Sequence, residues 1–515
     1  MAKVAACARM SKSCHCALAA WLALGMALAA RPAAAQTLPD ALSLAYRHSP
    51  RLDAERARLR AVDEEVAKAR SGYQPSLTAT AFVGAQRTDT RPFDSGDGAT
   101  RPSGSAVTLT QSLFSGFRTV NGVLEAEAGV HGGRQQLRQL EQTVLLETVT
   151  AYLDVGRDQT VVRLRERLVA MLTREVGVVQ ARVALQEATS TDLAQVRSRR
   201  AGATAELETA RGNLQLSRAT FERVVGQSPG QLTAPAPLSQ LLPTSLDAAI
   251  AVGGRENPGF VAALYREQAA RHGVDRIRGE LLPEVRLEAG YTRDFDSSRT
   301  TQETEVASVK GRITIPLYTG GEVQARVRQA KHTHISRLDE IEQSRFDVRA
   351  QVAGAWAQLA AARAALDSIK LQVQSSRSAL GGVRAELQAG WRTVLDVLNA
   401  EQESVNAEVG EAAARRNLVL ASYGLLAAVG RFTIEHIGTD QPVFEAAAPV
   451  ATRERNRLGT AIAPDRAPAS PKLATAGIGG LGTPRIKLPP RQSKMAATVA
   501  KPVQSTAPGL RGSLQ

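Results

Sequence analysis

Two halves of this chain repeat each other, and that constrains the fold before any single motif does. Ser49-Pro50 recurs as Asn257-Pro258 and Gln74-Pro75 as Leu282-Pro283, both at an offset of 208. Beyond the second proline the offset becomes 204 and stays there. Leu113-Phe114-Ser115-Gly116 recurs as Leu317-Tyr318-Thr319-Gly320, Tyr152 maps to Trp356 and Asp192 to Asp396. Arg211, Asn213, Leu214, Leu216 and Gly226 recur as Arg415, Asn417, Leu418, Leu420 and Gly430. A constant offset over so long a stretch marks a tandem duplication. One unit spans 36–230 and its copy 247–440, joined by a Pro-rich linker at 231–246, with one loop expected to differ by four residues.

Within each unit a short helix comes first, at 40–70 and 246–280, and a proline stops it. Two strand-like segments follow. Leu77, Ala79, Ala81, Val83 and Ala85 alternate with Thr78, Thr80, Phe82 and Gly84, and Val107, Leu109 and Leu113 with Thr108, Thr110 and Ser112. In the copy, Val285, Leu287, Ala289 and Tyr291 alternate with polar residues, as do Val309, Ile313, Ile315 and Leu317. Period-2 alternation gives each strand one apolar face. Nine such residues suffice to cross a bilayer at a tilt. An ordinary half-buried soluble hairpin has the same pattern. If these hairpins do span lipid, two of them leave open edges, so several chains must close one barrel.

Proline then disappears. None occurs from Ser103 to Ser228 or from Leu317 to Gln441, runs of 126 and 125 residues rich in Ala, Leu, Val, Arg, Glu and Gln. These are mostly good helix formers. A helix from Gly116 to about Gln186 would run to ~105 Å at ~1.5 Å per residue. Such a helix needs lateral partners along its whole length, which implies coiled-coil packing. Small apolar residues such as Ala201, Ala203, Ala205 and Ala210 suit close helix approach, and an aromatic content of 4% suits a thin helical wall better than a large globular core.

The ends set the compartment and carry the charge. Lys3, Arg9 and Lys12 precede an apolar run from Cys16 to Ala30 and a small-residue site at Ala33-Ala34-Ala35, the order of a secretory signal peptide at 1–35. The run is shorter than the ~20 residues of a spanning helix. Cysteines 7, 14 and 16 all lie in this segment, so the exported chain would hold no disulfide and no thiolate site. Of the net +14, the leader supplies +4 and residues 441–515 supply +8 (eleven Lys/Arg, three Asp/Glu), leaving 14 − 4 − 8 = +2 for the body. A nearly neutral body has no electrostatic footprint for nucleic acid. The 441–515 tail is basic and rich in Pro and Ala without periodicity, which is the composition of a disordered segment. It reads as a solvated tail or as a contact to cell wall or lipid headgroups.

Enzyme signatures are missing: no G-x-S-x-G, no H-E-x-x-H and no Walker loop. The one close histidine pair, His332 and His334, points in two directions on a helix, so no metal site is expected there and no cofactor is implied.

The most specific local sequence lies at the bend of each long hairpin. The second reads Gly390-Trp391-Arg392-Thr393-Val394-Leu395-Asp396-Val397-Leu398-Asn399-Ala400, the first Gln186-Glu187-Ala188-Thr189-Ser190-Thr191-Asp192-Leu193. The pattern Gly-x-Arg-Thr-x-x-Asp-Val-Leu-x-Ala, the Leu-Phe-Ser-Gly and Leu-Tyr-Thr-Gly junctions and the duplication together resemble the TolC-family outer-membrane efflux and secretion ducts over about 40–435. The resemblance implies a mainly α fold with a small β part: four strands and long coiled-coil hairpins per protomer. In a homotrimer these close as a 12-stranded barrel in outer-membrane lipid, continued by an α-helical tunnel in the periplasm. It implies a periplasmic adaptor (membrane fusion protein) and an inner-membrane ABC transporter or proton-driven pump as partners.

Carried onto this chain, the resemblance makes Asp396 an acidic ring position at the channel constriction and Asn399 a second position, acidic in TolC itself. It places Asp192, Arg392 and Thr393 in the gating network of the tip, and Gly116 and Gly320 at the strand-to-helix junctions. Leu387 stands where that network has a tyrosine, and Gln186 stands where a glycine is expected at the first tip, so its turn is expected to differ. A helix N-cap is the plain reading of Asp192, and a solvated carboxylate that of Asp396. The Ala/Arg-rich style resembles the CyaE-like ducts of toxin export. Type I protein secretion is therefore the expected service, with small-molecule or drug efflux as the alternative and a poreless periplasmic coiled-coil adaptor as the third.

Overall fold

A computed structural model describes residues 36–434 apart from 90, 93–96, 236–237 and 239–240. The signal-peptide reading and the 441–515 tail fall outside the described residues. The order in the first repeat is α1 (Leu38–His48), α2 (Pro50–Arg70), β1 (Ser76–Val83), β2 (Gln86–Thr88), β3 (Gly98–Thr100), β4 (Ser103–Phe114), α3 (Arg118–Ala184) and α4 (Ser190–Val225). The second has α5 (Leu246–Glu256), α6 (Pro258–Arg278), β5 (Glu284–Phe295), β6 (Glu303–Thr314), α7 (Glu322–Gln388) and α8 (Val394–Val429). Helix bounds repeat at +208 before the strands and at +204 after them.

The first helix of each repeat is two helices, not one. Ser49 (ψ 112°) and Asn257 (ψ 120°) are extended, because the ring of a following proline disfavours helical backbone at the residue before it. Pro50 and Pro258 then open α2 and α6 at N1, where a missing N–H costs nothing.

The single four-residue loop difference is also corrected. From the start of the first strand to the end of the last, the first hairpin takes 76–114 and the second 284–314, so the first is eight residues longer. The strand-to-helix connection is three residues in the first repeat (115–117) and seven in the second (315–321). Eight minus four leaves the net difference of four. The longer first hairpin holds the small β2–β3 ribbon, which alternation did not reveal, and Ile315 and Leu317 lie beyond β6.

The main sheet runs β1-β4-β5-β6, antiparallel throughout, so the two repeats meet at β4–β5. Register places Leu77, Ala79, Val107, Leu109, Leu287, Ala289, Tyr291, Val309 and Ile313 on one face, and Thr78, Thr80, Thr108, Thr110, Arg286, Glu288, Lys310 and Arg312 on the other. The apolar face is bare: Leu77 is 70% exposed and Val309 72%.

Helices α3 and α7 are 67 residues each, about 100 Å at ~1.5 Å per residue. Their burial follows a heptad. In α7 the buried positions include Ile341, Val348, Val352, Leu359, Leu366, Val373 and Leu380. In α4 they are Val196, Ala203, Leu207, Ala210, Leu214, Ser217 and Phe221. Spacings of seven and four keep one seam facing the partner helix. Ala203 and Ala210 sit in that seam, whereas Ala201 and Ala205 are exposed.

The broadest core lies midway along α3, where α1 and the ends of α4 and α8 converge on Leu42, Leu145, Val149, Tyr152, Phe221, Val225, Tyr423 and Phe432. The Tyr152 hydroxyl lies 2.8 Å from the Gln36 carbonyl and 2.7 Å from that of Thr233, tying the first described residues and the linker to α3. Burial pushes the Tyr423 phenol up to about 12. Among the described residues no helix is long and apolar enough to cross a membrane.

Candidate functional site

Both hairpin tips are built by the same two pieces of chemistry. The long helix ends in a left-handed residue, Gln186 (φ 60°) in the first tip and Gly390 (φ 80°) in the second. The following N–H then turns back to donate to the helix, Glu187 to the Arg182 carbonyl at 2.8 Å and Trp391 to Glu386 at 2.9 Å. These bonds satisfy carbonyls that a helix end leaves open. The expectation that Gln186 changes the turn is not met, since the side-chain amide is carried in the same conformation that glycine adopts at 390.

The returning helix starts with a capping box. The Asp396 N–H donates to Thr393 Oγ at 3.3 Å, while Asp396 Oδ2 accepts from the Thr393 N–H at 3.0 Å and from its hydroxyl at 2.8 Å. Thr189 and Asp192 repeat this at 3.1, 3.0 and 2.7 Å. The backbone N–H of Thr189 or Thr393 is the main cause holding each carboxyl below its ordinary range, followed by the hydroxyl, with Arg182 or Arg392 adding to it. The reading of Asp192 as an N-cap is thus corrected: Thr189 and Thr393 are the N-caps, and Asp192 and Asp396 are the N3 members of their capping boxes.

Arg392 donates from Nε to Glu386 Oε2 at 2.8 Å, within its own hairpin. That hydrogen bond raises its pKa, with the charge of Glu386 and then Asp396 adding to it. Within one chain the structure therefore does not bring Arg392 to Asp192. Asn399 is one turn beyond Asp396, and its Oδ1 accepts from Arg199 Nη2 of α4 at 2.6 Å. Above it Gln402 of α8 reaches Glu206 of α4 at 3.5 Å, and Arg165 of α3 reaches Glu206 at 2.8 Å and Asn406 at 3.1 Å. Reading the sequence missed Arg199 and Glu386. Arg199 lies 200 residues from its partner, and no local pattern announces it. Glu386 was within reach: it lies six residues before Arg392, across a turn whose geometry the glycine already signals.

At the other end of the long helices, Gly116 (φ 62°) and Phe117 (φ 61°) are successive left-handed residues between β4 and α3. A Cβ on Gly116 would come 2.3 Å from the Gly279 carbonyl oxygen, so β4 and the end of α6 touch backbone to backbone. Gly320 (φ 64°) and Gly321 (φ 83°) repeat the conformation, but a Cβ on either would meet nothing within 4 Å. Of the two close histidines, His334 of α7 bonds Glu267 of α6 at 2.7 Å.

The arrangement offers a bare apolar strand face, a polar opposite face, ~100 Å of helix and two capped tips carrying carboxylates. The chain matches the family model described as outer membrane efflux protein over 41–227 and 255–431, one block on each repeat. Outer membrane efflux protein BepC of Brucella suis is 35% identical over 422 residues, covering 82% of this chain and 91% of that protein. Protein CyaE of Bordetella pertussis is 27% identical over 417 residues, covering 79% and 86%. The crystal structure of the Campylobacter jejuni CmeC outer membrane channel superposes with a TM-score of 0.68 at 14% identity, over 79% of this chain and 87% of that one. The chain belongs to the outer membrane efflux protein family, the TolC-type ducts of the outer membrane.

Proposed function

We propose that three copies of this chain close into one duct, with 3 × 4 strands forming a 12-stranded barrel and their helices a tunnel below it. The observation that carries this is the four-stranded sheet with an exposed apolar face and two edges, β1 and β6, that no other strand pairs among the described residues. Lipid tolerates neither open edges nor unpaired backbone, and more copies of the same sheet are the simplest closure. The family to which the chain belongs consists of channel proteins, which sets the poreless adaptor aside. The periplasmic tip, with Asp396 from three chains near one axis, forms the constriction. Its partners are a periplasmic adaptor and an inner-membrane ABC transporter or proton-driven pump. Current through planar bilayers tests the duct: a purified, heat-resistant trimer that inserts yet carries no current would sink it.

Cargo has two readings. Likeness to CyaE supports type I protein secretion, and the higher identity to BepC favours small-molecule efflux. A deletion strain separates them. Drug hypersensitivity with normal export of large proteins supports efflux, and loss of one protein from the culture medium with unchanged drug tolerance supports secretion.

A further inference from the structure

The polar face of the sheet carries its charge at one end. Arg286 and Arg312 pair across β5 and β6, and Glu288 and Lys310 pair in the row beside them. Glu288 turns its carboxylate onto Arg312, accepting from Nε at 3.0 Å and from Nη2 at 3.1 Å. Lys310 is left, among the described residues, without a carboxylate in ion-pair range, and it is exposed. Glu284 is shared between Arg286 at 2.7 Å and Arg118, at the foot of α3, at 3.0 Å. Four cations thus share two carboxylates, a surplus of two per chain. The next charge on this face of β5 is Asp294, six residues beyond Glu288 and roughly 20 Å away at ~3.3 Å per residue.

These residues have no structural need of a charge surplus. The strands are paired by backbone, and an apolar or neutral residue at 310 would leave every ion pair of the row intact. Closed in threes, as the duct reading holds, the surplus becomes six positive charges around one water-filled ring, and confined charge of one sign focuses the local field. It sits at the end of the barrel next to the helices, while the carboxylates of the tips lie ~100 Å away along α3 and α7.

We infer that Arg286, Lys310 and Arg312 form a basic girdle at the base of the barrel, which binds multivalent anions, phosphate-bearing solutes above all, that enter from the barrel end. The girdle rests on the trimeric duct and gives the channel opposite charge preferences at its two ends.

The test is blockade of the full-length trimer in planar bilayers, with inorganic tripolyphosphate added to the barrel side. Wild-type current should fall with tripolyphosphate from that side and much less from the tip side. Lys310→Glu should weaken the block at least tenfold and Lys310→Gln by a smaller factor, while block by hexamminecobalt(III) from the tip side stays as in wild type. Unchanged tripolyphosphate block in both variants, or equal block from both sides, overturns the girdle and leaves the duct standing. Absence of any wild-type current overturns the duct and the girdle together. Should Lys310→Glu fail to assemble as a heat-resistant trimer, Lys310→Gln decides, because it removes one exposed charge and no ion pair.

Discussion

At the tips, single side chains carry two duties that can be separated. Asp396 closes the capping box with Thr393 and also supplies the charge proposed for the constriction. Thr393→Ala removes the cap, a loss of about 1 kcal/mol to the start of α8, and leaves the carboxylate. Asp396→Ala removes the carboxylate and its half of the box but keeps the bond from the residue-396 N–H to Thr393 Oγ. Reversal potentials in a KCl gradient should therefore show reduced cation preference in Asp396→Ala and near wild-type preference in Thr393→Ala. Equal shifts would mean that the carboxylate acts only through the fold of the tip.

The same bonds set a pH dependence. A carboxyl whose pKa is depressed on folding stabilises the fold above its unfolded value, about 3.9 for Asp. That contribution is lost as pH falls through the lower folded value. Amide exchange at 189–193 and 393–397 should stay slow down to about pH 4 and quicken only below it. At Gln186 the left-handed backbone holds a side chain with a Cβ, at a cost of roughly 1–2 kcal/mol. Gln186→Gly should slow exchange at the first tip, and unchanged exchange would place the strain elsewhere.

At the level of elements, the two junctions look alike in sequence and differ in space. Gly116→Ala should destabilise strongly, because the new methyl meets the Gly279 carbonyl at 2.3 Å on top of a left-handed φ of 62°. Gly320→Ala should cost only the left-handed penalty of about 1 kcal/mol, since its surroundings are open. Thermal unfolding of the two variants side by side measures the asymmetry. The paired Leu-Phe-Ser-Gly and Leu-Tyr-Thr-Gly signatures were readable in the chain, but the contact with Gly279 was not, because it joins residues 163 positions apart. The length of α3 was readable to within a few residues, because proline excludes itself from helix interiors and the bend signature marks the far end. The split at Ser49-Pro50 follows from the same rule and was overlooked. The coiled-coil seam was visible in advance as Val348, Leu359, Leu366, Val373 and Leu380, though length alone had argued for it.

For the whole molecule the decisive surface is the bare apolar face. Val309, 72% exposed and central in its band, should tolerate no charge if that band meets lipid. Val309→Lys should cost about 2–4 kcal/mol of membrane stability and lower the yield of inserted, heat-resistant trimer, while Lys310→Gln on the opposite face should not. Equal yields would deny lipid contact to the apolar face.

The duplication, the proline-free arms, the strand alternation and the tip signatures are properties of the chain, because local backbone rules and side-chain periods act within a few residues of sequence. They determined the family and the order of the main elements, without the β2–β3 ribbon and the split of each first helix. Tertiary structure decided what depends on pairing across hundreds of residues. It joined β4 to β5 and so the two repeats into one sheet, gave Asn399 to Arg199 and Arg392 to Glu386, and placed Gly116 against Gly279. Among the described residues it also left Lys310 without a carboxylate in ion-pair range, since Glu288 beside it had turned to Arg312. Charges and hydrogen bonds choose the nearest good geometry, and that distance exists only once the chain has folded.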